Sequence, residues 1–258
     1  MSIGIIGAGK LGSNFARALA RKNIPALIAS RRGPSALREL ATQLGPSIRP
    51  ASVAEAVQAD LVLIAVRWAD LELVLRPLPP WNGRTVIDAT NAVAFLEPGS
   101  PETRDPENPL AAYGIKAIDL QGQVSSEVFA RLVPGARVVK AFNHLAVEQL
   151  THPETANGRR VLFYSGNDAN SKITVASLIR QLDFVGVDLG SLAVGGRLTQ
   201  VPGGPLATLN LINISCPNCR LHVRGAAAPG RRAASLAQRC CDSRVGGSAG
   251  LLCWLYTA

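Results

Sequence analysis

The sequence predicts an α/β fold built on a doubly wound parallel sheet, with a small C-terminal lobe and a disordered tail. Three observations predict it. Short apolar runs alternate with amphipathic stretches up to about Ile212, the first run enters a glycine-rich turn that opens a helix, and the composition changes character after that point. With 47% hydrophobic and 17% charged content, 258 residues are enough for one large or two modest domains. No run approaches the roughly 18 to 20 apolar residues of a membrane helix, and no basic leader with an apolar core opens the chain. Cytoplasmic residence and no membrane partner are therefore expected.

The first element is the buried-type strand Ser2 to Ile6, followed by Gly7-Ala8-Gly9-Lys10-Leu11-Gly12 and a helix from Ser13 to Lys22 whose apolar face carries Phe15 and Leu19. Strand, glycine turn and helix in this order form the Rossmann-type dinucleotide signature. Gly7 permits the tight turn, Gly9 lets backbone approach a pyrophosphate, Gly12 lets helix pack on strand, and the helix N-terminus faces the anion. A second strand, Pro25 to Ala29, ends in Ser30-Arg31-Arg32. An acidic residue that would take the ribose 2′-hydroxyl of NAD is missing there, and a hydroxyl with two guanidinium groups suits a 2′-phosphate, so NADP(H) is favoured over a merely solvated basic loop.

Further strands are expected at Asp60 to Val66, Thr85 to Ala89 and Arg137 to Phe142, with helices between, one opened by the capping box Ser52-Val53-Ala54-Glu55. In a parallel sheet the ligand lies outside the carboxyl ends of the strands. Ala65, Val66 and Trp68, then Thr90 and Asn91, then Asn143 and His144 should therefore converge with the glycine loop on one rim. Each has a structural alternative: Trp68 as a cap on the core, Asn91 as a turn residue, His144 as a core histidine. No paired carboxylates, HExxH, GxSxG or Ser/His/Asp spacing occurs in this region, and the first 212 residues hold no cysteine. Nucleophilic and metal chemistry are not expected, and a nicotinamide enzyme needs neither.

Val161 to Tyr164 reads as a strand, Gly166-Asn167-Asp168 as a turn capping a helix through about Leu182, and Phe184 to Asp188 as another strand. Gly195-Gly196 and Pro202-Gly203-Gly204-Pro205 read as a flexible loop pair before the apolar Leu206 to Ile212. The stretch Pro98 to Pro109 reads as a solvated loop or a lid. The expected division is a dinucleotide-binding domain over 1–152, a small lobe closing the cleft over 153–212, and a tail over 213–258.

That tail carries six Arg against Asp242 alone and all five cysteines: Cys216, Cys219, Cys240, Cys241 and Cys253. It accounts for more than half of the net charge of +9, and the other arginines are scattered rather than grouped in a stripe, so no nucleic-acid partner is expected. Cys216 and Cys219 have a chelating spacing with His222 nearby, but adjacent Cys240 and Cys241 do not readily clasp one ion, so no metal is expected. The tail resembles a shifted reading frame or a recent extension.

Several phrases carry a family resemblance over nearly all of positions 1 to 212. They are the opening GAGKLG, the SRR after the second strand, RWAD around Trp68, PGARVVKAFNHL from Pro134 to Leu145, RVLFYSGNDANSK from Arg160 to Lys172, and DLGSLAVGGRL through PGGPLATLNLI. In this order they resemble the NADPH-dependent reductases of the deazaflavin coenzyme F-420. The resemblance implies hydride exchange between NADPH and the deazaflavin, in a homodimer, with Asn91 and Asn143 near the nicotinamide and Arg197 as a substrate or lobe contact; together with His144 of the rim, the two asparagines are the catalytic candidates. Where relatives often have a proline before the Trp, this chain has Arg67. The same resemblance extends to ferric reductase modules and to imine-type reductases, and a non-catalytic NADP-sensing module is the rival of another class.

Overall fold

A computed structural model describes residues 1–156, 158–214 and, as backbone alone, 254–256. Its strands are β1 (Ile3–Ile6), β2 (Ala26–Ala29), β3 (Ile48–Ala51), β4 (Leu61–Ile64), β5 (Thr85–Asp88), β6 (Val93–Phe95), β7 (Ile115–Ala117), β8 (Arg137–Ala141), β9 (Glu154–Thr155), β10 (Gly158–Gly166), β11 (Val185–Asp188), β12 (Leu211–Asn213) and β13 (Trp254–Tyr256). Its helices are α1 (Lys10–Arg21), α2 (Arg38–Leu44), α3 (Val53–Ala56), α4 (Leu71–Leu75), α5 (Ser125–Leu132), α6 (Ala169–Gln181) and α7 (Arg197–Thr199), joined by 3-10 turns and one π-helical turn at Leu192–Gly196.

The central sheet runs β3-β2-β1-β4-β5-β8-β10-β12-β13, with β9 and β11 also bordering β10. From β3 to β8 every pairing is parallel; β10 then runs antiparallel to β8. Period-2 alternation divides the apolar side chains between two faces. Ile3, Ile5, Ile28, Leu61, Leu63, Ile87 and Val139 pack against Phe15 and Leu19 of α1 and Val175, Leu178 and Ile179 of α6. Ile6, Val62, Ile64, Val86 and Val138 face the other way, onto Ala56, Val74 and Phe129 of α3, α4 and α5. Both faces are thus covered, the doubly wound arrangement in which each fully buried large side chain contributes about 1.5 to 3 kcal/mol.

The expected strands form, most of them one residue shorter than the apolar run, β4 three shorter, and β10 extended to nine residues. β3 went unread because Pro50 interrupts it; the strand is an edge, where a missing N–H costs no ladder bond. The Ser52–Glu55 capping box forms in both directions, and Asp168 caps α6 by accepting the Ser171 N–H at 2.8 Å. Residues 154–213 continue the same sheet through β10, β11 and β12.

Gly195 and Gly196, read from sequence as part of a flexible loop pair, lie instead in the tight π-helical turn. A Cβ on Gly196 would sit 2.0 Å from Ser126 Oγ, and one on Gly195 would sit 2.5 Å from Ser165 Cβ. Gly204 is equally enclosed, 2.5 Å from the Leu198 carbonyl oxygen. The glycines are there for close packing. Pro98 to Pro109 lies in the connection between β6 and β7, which pair as a separate two-stranded sheet. Of the tail, the backbone of Trp254–Tyr256 pairs antiparallel with β12. The five cysteines and His222, with the zinc and frame-shift readings they carry, lie outside the described residues.

Candidate active site

β1 ends at Ile6, and Gly7 then turns the chain with φ 110°, a conformation that favours glycine. Its N–H donates to the Ala29 carbonyl at 2.9 Å, and a Cβ there would meet the Ala65 oxygen at 2.3 Å. Gly12, in the first turn of α1, lies against the Gly7 carbonyl, where a Cβ would approach to 1.8 Å. Gly9 differs, since nothing lies within 4 Å of the position a Cβ would take. The residue is the N-cap of α1, no side chain caps the helix, and no acidic residue occupies its first turn. The N–H groups of Lys10, Leu11 and Gly12 therefore open onto an uncrowded, electropositive cradle. A pyrophosphate fits it.

At the neighbouring strand end the Ser30 hydroxyl is buried without a partner among the described residues, and Arg31 and Arg32 are exposed. Arg31 is not idle: its Nη2 lies 3.3 Å from Asp70 Oδ1, a carboxylate brought in by the turn after β4. That turn follows Ala65 and Val66, which border the glycine turn, and carries Trp68, half-buried against the core. Arg67 points outward with its guanidinium 5.1 Å above the Phe95 ring, so the position where relatives have proline holds a cation stacked on the β6 strand.

On the other side of β1, Asn91 and Asn143 bind each other. Asn91 Nδ2 donates to the Asn143 carbonyl at 2.9 Å, and Asn143 Nδ2 donates to Asn91 Oδ1 and the Thr199 carbonyl, both at 2.9 Å. Phe142 places Asn143 there by adopting φ 64°, a strained left-handed conformation for a bulky residue, held by its edge-to-face contact with Phe15 at 5.0 Å. Asn143 Oδ1 stays buried without a partner among the described residues, an acceptor available to an amide N–H. Arg197 is exposed, its Nη2 3.4 Å from the Gly122 carbonyl, and its helix reaches the rim through Thr199.

Beneath this pair lies a feature not anticipated from sequence. Lys140 and Asp88, neighbours in register on β8 and β5, form an ion pair at 3.0 Å with both side chains wholly buried. Asp88 Oδ1 also accepts the Thr90 N–H at 2.9 Å and the Thr90 hydroxyl at 2.7 Å, and Lys140 Nζ donates to the Thr90 carbonyl. The turn that carries Asn91 is thereby anchored at three atoms. Burial pulls the Lys140 amine below the usual lysine range, and Asp88 opposes the shift. The available signal was a charge set among apolar neighbours in each of two strands, Asp88 in TVID and Lys140 in RVVKA.

The catalytic expectation for His144 requires correction. The ring is buried, its Nε2 accepts the Phe163 N–H at 3.1 Å, and it stacks on Phe163 at 4.9 Å. Burial pulls its pKa from 6.5 to about 3, so it is a neutral core residue. Because the unfolded chain takes up this proton first, the contribution of His144 to stability is full above pH 6.5 and drains as pH falls towards 3. Between pH 6.5 and 5 the loss is about 1.5 kcal/mol. That window lies above the one in which Glu55, Asp60 and Asp168, held below their usual values by serine N–H and hydroxyl donors, begin to be protonated. Urea unfolding at the two pH values should show this loss, and a His144→Gln protein should show much less of it.

A surface hollow of about 490 Å³ between Arg38 and Pro50 lies at the α2–β3 edge and holds none of the rim residues. Among the described residues no cluster of metal-ligating side chains occurs, and no helix is long and apolar enough to cross a membrane.

Residues 2–92 match the family model whose description reads NADP oxidoreductase coenzyme F420-dependent. A solved hypothetical protein from Sinorhizobium meliloti is 39% identical with a TM-score of 0.72, over 82% of this chain and 96% of that one. A solved protein from Arthrobacter sp. fb24, assigned as an F420-dependent NADP-reductase, is 24% identical with a TM-score of 0.56, over 74% of this chain and 86% of that one. At that identity the likeness is one of fold. Metalloreductase STEAP3 of Rattus norvegicus is 34% identical over 80 residues, 31% of this chain and 16% of the metalloreductase. Residues 2–92 therefore carry a domain of the NADP oxidoreductase coenzyme F420-dependent family.

Proposed function

We propose that the protein transfers a hydride between NADP(H) and the deazaflavin coenzyme F420 or a similar planar acceptor. The observation that carries this reading is the shared rim: the open cradle at Gly9 follows β1, and the Asn91–Asn143 bridge joins the segments after β5 and β8, all at the carboxyl ends of strands in one parallel sheet. The nicotinamide, when bound, supplies the hydride. The glycine turn and the first N–H groups of α1 hold the pyrophosphate, Ser30, Arg31 and Arg32 the 2′-phosphate, and Asn143 Oδ1 accepts an N–H of the carboxamide. Ala65, Val66 and Trp68 wall the cleft, and Arg67 stacked on Phe95 borders the side open to an acceptor.

An acceptor that gains only a hydride needs orientation and no proton donor. This favours the deazaflavin over an imine, because the two proton donors within reach are spent: His144 is a buried neutral acceptor, and the Thr90 hydroxyl is buried and donates to Asp88. The proposed setting is a cytoplasmic homodimer.

The deciding experiment follows NADPH absorbance with coenzyme F420, with free flavin and a ferric chelate, and with a cyclic imine offered in parallel. Turnover is expected with the deazaflavin and slowest with the imine. Tight NADPH binding without turnover of any acceptor would transfer the protein to the NADP-sensing class.

A further inference from the structure

The tip of β2 carries no acid in sequence, yet the fold supplies one. Asp70 reaches Arg31 from the turn after β4, and β2 and β4 stand on opposite sides of β1, so the Arg31–Asp70 pair spans the crevice above the glycine turn. Asp70 ends the 3-10 turn that runs directly into α4, with helical φ −93° and ψ −7°, and its carboxylate makes no capping bond there, being directed at Arg31. The Ser30 hydroxyl beside this pair is buried and without a partner among the described residues.

We propose that Asp70 is a specificity-determining residue that narrows the preference for NADPH over NADH, an inference that rests on the 2′-phosphate reading of Ser30 to Arg32. It acts in both directions. Arg31 must leave Asp70 to bind a 2′-phosphate, and the carboxylate left nearby repels the dianion. With NADH the same carboxylate stays on Arg31 and accepts the ribose 2′-hydroxyl, the part played in NAD-selective sites by an acid on β2 itself. Since the pair is partly exposed, with side chains 55% and 31% accessible, its effect is severalfold rather than thousandfold.

The test is binding alone, by calorimetry with NADPH and NADH and with the fragments 2′,5′-ADP and 5′-AMP, on the whole chain. The unaltered protein is expected to prefer NADPH by about tenfold, from charge-assisted contacts that NADH lacks. Asp70→Asn should tighten NADPH about threefold and weaken NADH about threefold, so that the preference rises about tenfold, with the fragments following the same order. In an Arg31→Ala background the NADPH gain should shrink, because the competition for Arg31 is gone and only the direct repulsion of the dianion remains. An unchanged preference in Asp70→Asn, beside an Arg31→Ala protein that has lost NADPH affinity, overturns the role of Asp70 alone. If Arg31→Ala leaves NADPH affinity intact, the phosphate assignment of the loop fails and the role of Asp70 fails with it. Hydride transfer is not read in any arm, so a wrong acceptor does not affect the outcome.

Discussion

A Gly9→Leu protein should fold as the parent does and lose NADPH affinity by at least about 100-fold, equivalent to about 2.7 kcal/mol. The backbone at Gly9 is extended, with φ −75° and ψ −170°, which any residue adopts, and nothing lies within 4 Å of its Cβ position. The side chain therefore meets no protein atom there and instead fills the cradle above the α1 N-terminus. The melting temperature should move little, since replacing an N-cap glycine by an apolar residue costs about 1 kcal/mol or less. Gly12→Val is the control with opposite behaviour: its Cβ would lie 1.8 Å from the Gly7 carbonyl, so it should fail to fold or melt far earlier. Calorimetry beside a thermal melt separates the two, and NADPH binding to Gly9→Leu within threefold of the parent would remove the pyrophosphate from this turn.

Lys140→Met should cost about 3 to 5 kcal/mol of stability, because it leaves the Asp88 carboxylate wholly buried with no counter-charge. Asp88→Asn should be similarly severe, leaving an ammonium in the core. The double replacement, Lys140→Met with Asp88→Asn, should recover most of the loss, since an amide oxygen at 88 can still accept from the Thr90 N–H and hydroxyl. Urea unfolding of the four proteins closes the cycle, and a coupling energy below about 1 kcal/mol would show that the two groups do not face each other as charges. The pair is costly to bury, and its evident return is a fixed Thr90–Asn91 turn at the rim.

Much of this was legible in the sequence, for identifiable reasons. The glycine turn, the capping box and the central strands are local patterns, and local patterns survive folding: each of Gly7, Gly9 and Gly12 meets the surroundings its spacing implied. Asn91 and Asn143 were named separately, yet their mutual hydrogen bonds depend on the left-handed Phe142, which nothing in the local pattern announces. His144 was misread because a histidine after a strand end looks the same whether its ring faces the cleft or the core. Asp70, Asp88 and Lys140 were missed because their significance is pairwise across strands. A charge acquires its role from a neighbour 39 to 52 residues away, beyond any single window. Gly195, Gly196 and Gly204 show the converse error, since glycine for close approach and glycine for flexibility are indistinguishable until the neighbour is known.

The strand order has a consequence for how the chain is assembled as it is synthesised. Once β1, β2 and β3 are in place, β4 joins the open side of β1, and β5, β8, β10, β12 and β13 each join the strand laid down before them on that growing edge. No later strand has to insert between two already paired. The emerging polypeptide can add each strand as it leaves the ribosome: β3 stays an edge, and the growing edge, the usual seed of aggregation, is covered in turn by the next strand that joins this sheet, β6 and β7 pairing apart from it.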